Sequence, residues 1–168
     1  MKQLIIRKAE ASELDLIVEM QLSLQRHLEN CSSSIWRYTE ERKKLLRQDY
    51  EKYLTDKDSL LLVAELKGKV VGFISLNVTR RTDHLPNIIG NIGSIYILEN
   101  LRRQSIGKRL VREACQFFKS KNAENLYLRY VLGNSEGENF WKKLGFKPIL
   151  VTAGTNINTV EDCLKHEF

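Results

Sequence analysis

The stretch Ile95-Tyr96-Ile97-Leu98-Glu99-Asn100-Leu101-Arg102-Arg103-Gln104-Ser105-Ile106-Gly107-Lys108 runs from an apolar strand-like segment, through a basic turn, into an amphipathic helical pattern. The chemistry available at such a junction is anion binding. A helix leaves the N–H groups of its first turn without intrahelical acceptors, and its aligned peptide dipoles add about half a positive charge there. Arg102, Arg103 and Lys108 supply full charges, and the small Ser105 and Gly107 let a diphosphate approach the backbone. The competing use of the same residues is a solvated basic turn that only starts a helix.

The elements that position this junction follow from periodicity. Leu4, Ile5 and Ile6 read as a first strand, closed by Arg7-Lys8. Ser12 is placed to cap a first helix whose Ile17, Met20, Leu24 and Leu28 recur on one side, and Thr39 to cap a second that buries Leu46, Tyr50, Tyr53 and Leu54. Leu60–Ala64 and Val70–Val78, separated by Lys67-Gly68, form a hairpin signature. A polar loop through Arg80, Arg81, Asp83, His84 and Pro86 leads to a strand over 91–98, where Gly90 and Gly93 suggest a bulge or bend. Ile106, Leu110, Val111, Ala114, Phe117 and Phe118 trace one face of a long helix, and a strand over 126–132 follows. A short helix from Asn134 ends at Gly145, and Phe146–Val151 and Thr159–Leu164 are weaker strand candidates. The fold class expected is α/β, a mixed sheet with helices on both faces.

Composition narrows the functional classes. At 168 residues, with 42% hydrophobic and 29% charged residues, the chain has the balance of one globular domain. No apolar run approaches the ~18 residues of a membrane helix, and the start of the chain lacks a secretory pattern, so no membrane partner and a cytoplasmic location are expected. Cys31, Cys115 and Cys163 are isolated and form no C-x-x-C pair, which suggests reduced thiols and no metal site. The net charge of +6 suits a phosphate-rich ligand, and no nucleic-acid module accompanies it, so nucleic acid is not expected as a partner.

The basic junction resembles motif A of the GNAT superfamily of acyl-CoA-dependent N-acetyltransferases, Arg/Gln-x-x-Gly-x-Gly/Ala after an apolar strand, with Arg102, Ser105 and Gly107 in the three places. Farther along, Asn134-Ser135-Glu136-Gly137-Glu138-Asn139-Phe140-Trp141-Lys142-Lys143-Leu144-Gly145-Phe146 resembles motif B, an Asn, an aromatic-rich short helix and Leu-Gly-Phe. Leu62–Glu65 with Val70–Ile74 is similar to the family's central hairpin, so the resemblance covers about residues 60 to 147.

The resemblance implies one N-acetyltransferase domain over residues 1–168, with a mostly antiparallel central sheet that splays between the strands at 91–98 and 126–132. Acetyl-CoA is then the cosubstrate, with no metal. Its pyrophosphate would lie in the turn of Arg102, Arg103, Gln104, Ser105, Ile106, Gly107 and Lys108. Backbone around Ile97 and Leu98 would contact pantetheine and thioester, with Asn134 and Trp141 on the cofactor side. The acceptor would be a primary amine, on a small molecule or a peptide, attacking directly in a ternary complex; a homodimer through the C-terminal strands also fits the family. Ser105 replaces the usual Gly, Glu99 a frequent Pro, and Trp141 the Tyr that protonates the leaving thiolate in many members. Asn91 stands where some members carry a basic Glu; it can hold a relay water but not take the proton, and His84 beside Asp83 is the other candidate in reach. These departures keep open a non-catalytic acyl-CoA-binding or regulatory domain.

Overall fold

A computed structural model describes residues 4–32 and 37–165 of the chain. They form two compact units, one up to Asn134 and one from Ser135.

The first unit is a five-stranded sheet in the order β1 (Leu4–Lys8), β2 (Ser59–Leu66), β3 (Lys69–Arg80), β4 (Ile88–Ile97) and β5 (Asn125–Leu128). Neighbours are antiparallel except β4 and β5, which run parallel. Lys67 and Gly68 both take positive φ, 54° and 73°, and close the β2–β3 hairpin as a two-residue turn whose twist matches the strands. Helices α1 (Leu14–Cys31) and α2 (Glu40–Thr55) cover one face, where Leu14, Ile17, Met20 and Tyr50 bury against Leu61, Val63, Phe73 and Tyr96. Helix α3 (Ile106–Ser120) covers the other with Leu110, Val111, Ala114 and Phe118. The two faces are readable along β4 itself: a Cβ on Gly90 would fall 2.6 Å from the Phe118 ring, and one on Gly93 would come within 3.6 Å of the Tyr53 hydroxyl.

Thr39 caps α2 as expected, its Oγ1 accepting from the Arg42 N–H at 3.1 Å. Ser12 does not cap α1. It sits inside a single 3-10 turn, Ala11–Glu13, and the capping is reciprocal between Glu10 and Glu13. Glu13 is held there by Arg7, which also bonds Glu65, so one guanidinium ties β1, β2 and the entry to α1 together. The strand expected over 126–132 ends at Leu128, because its ladder partner β4 turns away beyond Ile92.

In the second unit, α4 (Ser135–Lys143) ends in a Schellman motif: Phe146 N–H donates to the Trp141 carbonyl, Gly145 N–H to that of Lys142, and Gly145 has φ +88°. Phe146–Val151 forms no strand, and Pro148 within it lacks a ladder N–H. Thr159–Leu164 is not a strand either but part of α5 (Ile157–Lys165). Its β-branched content suggested extension, yet Ile157, Val160 and Leu164 recur at helical spacing, and Asn156 accepts from the Asn158 N–H as an N-cap does. The C-terminal strands through which a dimer was expected are therefore absent among the described residues.

Phe118 is fully buried, so Phe118→Ala is expected to cost about 3–5 kcal/mol, measured as a drop in the urea midpoint at unchanged m-value. The hydrogen bonds from Arg7 hold the Glu13 carboxyl below its ordinary value. That contribution to stability is present above the unfolded carboxyl range and lost as pH falls through the folded value; Glu13→Gln should flatten the acid limb of a stability-against-pH curve.

Candidate active site

The basic junction adopts the geometry that anion binding requires. A short 3-10 turn, Glu99–Leu101, leads from β4 to Arg102, and Arg103 and Ser105 both lie in the left-handed region at φ 60° and 62°. This bends the chain sharply just before α3. The first helical bond of α3 runs from the Arg109 N–H to the Ser105 carbonyl, and the Ser105 side chain makes no capping bond. Among the described residues, no carbonyl or side chain accepts from the backbone N–H groups of Arg103 through Lys108. Arg103, Gln104, Ser105 and Lys108 are exposed, so donors and charge face solvent together. Arg102 is placed differently: its Nε donates to the Ile97 carbonyl at 3.2 Å and its guanidinium lies 5.6 Å from the Tyr96 ring centre, anchoring the turn to the end of β4.

Next to this turn lies an open strand edge. Pairing between β4 and β5 stops at Ile92 and Leu128, while β4 continues to Ile97, paired among the described residues with β3 alone. A bulge marks the divergence: Ser75 pairs with Ser94 and Leu76 with Ile92, leaving Gly93 unpaired between them. The Leu98 N–H donates to the Val71 carbonyl, so by alternation Ile97 and Ile95 turn their N–H and C=O groups toward the open side. The Ile97 carbonyl already accepts from Arg102, leaving its N–H and both groups of Ile95 for a ligand chain. The Leu98 N–H, by contrast, is taken up by β3.

Across the bulge, on the face covered by α1 and α2, is a cavity of about 540 Å³ lined by Tyr38, Arg42, Asp49, Tyr53, Asp56 and Gly93, among others. Its floor carries buried, hydrogen-bonded polar groups from the sheet and from α1 and α2. Ser75 is 2% exposed and its Oγ accepts from the Ser94 N–H at 2.9 Å; Tyr50 donates to Gln21 at 2.8 Å, and Gln21 donates to Tyr38 at 3.2 Å. Burial pushes the phenols of Tyr50 and Tyr53 above their ordinary range, against the opposing hydrogen bonds to Ser94 and Ser75, so both stay protonated at neutral pH. Lys52 and then Arg42, through their hydrogen bonds, hold the Asp49 carboxyl low, and Ser59 and the Asp58 N–H do the same for Asp56.

The other expected residues lie around this cavity or elsewhere. Asn91 donates to Thr79 Oγ1 at 3.0 Å and to the carbonyl of Asn77, itself a cavity residue, but does not line the cavity. His84 pairs with Asp83 at 3.0 Å in the exposed 81–87 loop, outside the lining. Asn134 closes the first unit within 3.4 Å of His27, which also meets Cys31 at 3.7 Å. Trp141 is buried in the second unit, edge-on to Phe140 and Phe146 at 4.8 and 5.2 Å. The α2 polar residues were missed in the sequence, where they look like an ordinary solvated helix face. The available signal was Tyr50 and Tyr53 interleaved with Asp49 and Asp56. Among the described residues, no group of three or more His, Cys, Asp or Glu could hold a metal ion.

A family model described as "Acetyltransferase (GNAT) family" matches residues 24–146. An N-alpha-acetyltransferase from Sulfurisphaera tokodaii is 34% identical over 108 residues, covering 61% of this chain and 65% of that protein. Among solved structures, a predicted acetyltransferase with acetyl-CoA from Clostridium acetobutylicum superposes with a TM-score of 0.75 at 16% identity, covering 99% of this chain and 100% of that one. An aminoglycoside 6'-N-acetyltransferase from Acinetobacter haemolyticus gives 0.69 at 18% identity, covering 91% and 99%.

Ser105 is a β-carbon-bearing residue in a left-handed conformation, which costs about 1 kcal/mol that glycine avoids. Ser105→Gly should therefore leave the melting temperature unchanged or raise it by about 2–4 °C in a calorimetric scan.

Proposed function

The chain belongs to the GNAT acetyltransferase family, and on that premise we propose that it transfers the acetyl group of acetyl-CoA to a primary amine by direct attack in a ternary complex. The observation that carries this reading is the run of unsatisfied N–H groups from Arg103 to Lys108 beside the open edge of β4. In this reading the turn grips the diphosphate of acetyl-CoA, and Ile95 and Ile97 hold the amide-bearing arm as an added strand would. The thioester is thereby aimed at the Gly93 bulge, on whose far side the cavity admits the amine. The family match runs from residue 24 to residue 146 and so enters both units, which supports one functional domain over residues 1–168.

The free amine attacks the thioester carbonyl, a C–N bond forms as the C–S bond breaks, and coenzyme A leaves as thiolate. A thiol of pKa about 8.5 needs little help to leave near neutral pH, so Trp141 in place of an acidic Tyr is compatible with turnover. The proton of the incoming ammonium passes to water; Asn91 is proposed to hold that water at the polar edge of the cavity, and His84 to exchange the proton at the surface. No covalent acetyl-enzyme is needed, and none of Cys31, Cys115 and Cys163 is among the residues lining the cavity. The Sulfurisphaera relative's name supports an α-amine as acceptor, and the aminoglycoside enzyme a small molecule. Among the described residues no helix is long and apolar enough to cross a membrane, which is compatible with a cytoplasmic site of action. Trp141 favours a second reading, an acyl-CoA sensor without turnover.

Acetyl-CoA and CoA should raise the melting temperature of the protein, and the exposed double variant Arg103→Glu, Lys108→Glu should weaken their affinity about 10-fold or more by calorimetry with the fold unchanged by circular dichroism. Absence of protection by either ligand at large excess would remove the basis for the reading.

A further inference from the structure

Charge is sorted along one wall of the cavity. Arg42 and Lys52 share a single carboxylate, Asp49, at 2.5 and 3.0 Å, so that end of the wall holds one more positive charge than negative. Asp56 accepts only from the Ser59 hydroxyl and the Asp58 N–H, and has no cation within ion-pair distance among the described residues. Between these ends lie neutral groups: the protonated Tyr53, beside the Gly93 bulge, and the buried Ser75. Asp49 is one helical turn from Tyr53 and two from Asp56, which puts the two ends of the wall roughly 5–11 Å apart along α2.

Resting on the acetyltransferase reading above, we propose that the acceptor is amphoteric: a primary amine seated by Tyr53 and Asp56 at the bulge, carrying an anionic group that meets Arg42 and Lys52 one to two helical turns away. An acidic N-terminal peptide and a free acidic amino acid share this chemistry. The site disfavours polycations. A polyamine or an aminoglycoside would satisfy Asp56 but bring its further positive charges against Arg42 and Lys52, and like charges in a half-enclosed cavity repel more strongly than in bulk water.

The test measures thiol release from acetyl-CoA by the full chain with several acceptors. These are tetrapeptides with free N-termini whose second and third residues are glutamate, glutamine or lysine, together with free L-glutamate and spermidine. The acidic peptide or L-glutamate should show a kcat/KM at least 10-fold above those of the glutamine and lysine peptides and spermidine. The difference should lie mainly in KM, and comparison of the two favoured arms identifies the source. Arg42→Glu should bring the acidic-to-neutral ratio to one or below, and the milder Arg42→Gln should lower it partway; the Arg42 side chain is solvent-accessible, and retained protection by acetyl-CoA verifies the fold. Equal or better rates with the lysine peptide or spermidine, or a ratio unmoved by Arg42→Glu, would overturn the proposal. So would turnover on none of these acceptors while acetyl-CoA still protects, which leaves cofactor binding standing. Loss of that protection in the native chain would overturn the transferase reading and this inference together.

Discussion

Strand β4 has a neighbour on both sides for only half its length, and the organisation of the site depends on that. A β-strand must place its N–H and C=O groups somewhere, because leaving them buried and unpaired costs several kcal/mol for each segment so treated. Up to Ile92 they are shared between β3 and β5; beyond it the bulge at Gly93 turns β4 away, and β5 ends. An edge inside a sheet is ordinarily a hazard for aggregation. Here it is short, it lies between a basic turn and a cavity, and Arg102 covers part of it through the Ile97 carbonyl. The same bulge opens the sheet toward β5 on one side and sets Gly93 beneath Tyr53 on the other, so one extra residue shapes both the open edge and the cavity.

The turn after β4 illustrates how backbone strain and binding are linked. Two residues other than glycine, Arg103 and Ser105, adopt positive φ, a conformation that L-residues take at a cost of order 1 kcal/mol each. The conformation persists because Arg102 anchors one end of the turn and the packed α3 the other. What it achieves is a row of N–H donors with no internal acceptor, added to exposed positive charge. A side chain larger than Ser at position 105 would retain the charge and lose the close approach.

The floor of the cavity obeys a different rule. Ser75 and Gln21 are among the few buried polar side chains, and each is hydrogen-bonded, so the network is paid for within the protein. Its phenols remain neutral. The charged residues, by contrast, stand on the rim of α2, where water screens them and they can be exchanged for a ligand's charges. The cavity thus combines a neutral, ordered floor with a charged rim.

Much of this was legible from residue order. The hairpin at Lys67-Gly68, the Thr39 cap, the long α3 and the basic turn before it depend on interactions within a few residues, where spacing and side-chain type suffice. So did the family, because the motifs around Arg102 and Asn134 are local signatures. Errors arose where local preference was weak or divided. Ser12 looked like a cap until Arg7, Glu13 and Glu65 came together across the sheet, and the β-branched content of Thr159–Leu164 outweighed a helical period that Asn156 in fact begins. What only the tertiary structure decided was the cavity beneath α2. Asp49 and Tyr53 belong to α2, Asp56 is the residue just past its C-terminus, Ser75 belongs to β3 and Gly93 to β4; nothing in their order predicts that they share one cavity, since long-range packing of an amphipathic helix on a bulged sheet brings them together. The sequence by itself determined the donor-rich, basic character of the turn, because a helix start carries that chemistry in its own backbone. The cavity is built from side chains of distant elements, and it exists only once the chain is folded.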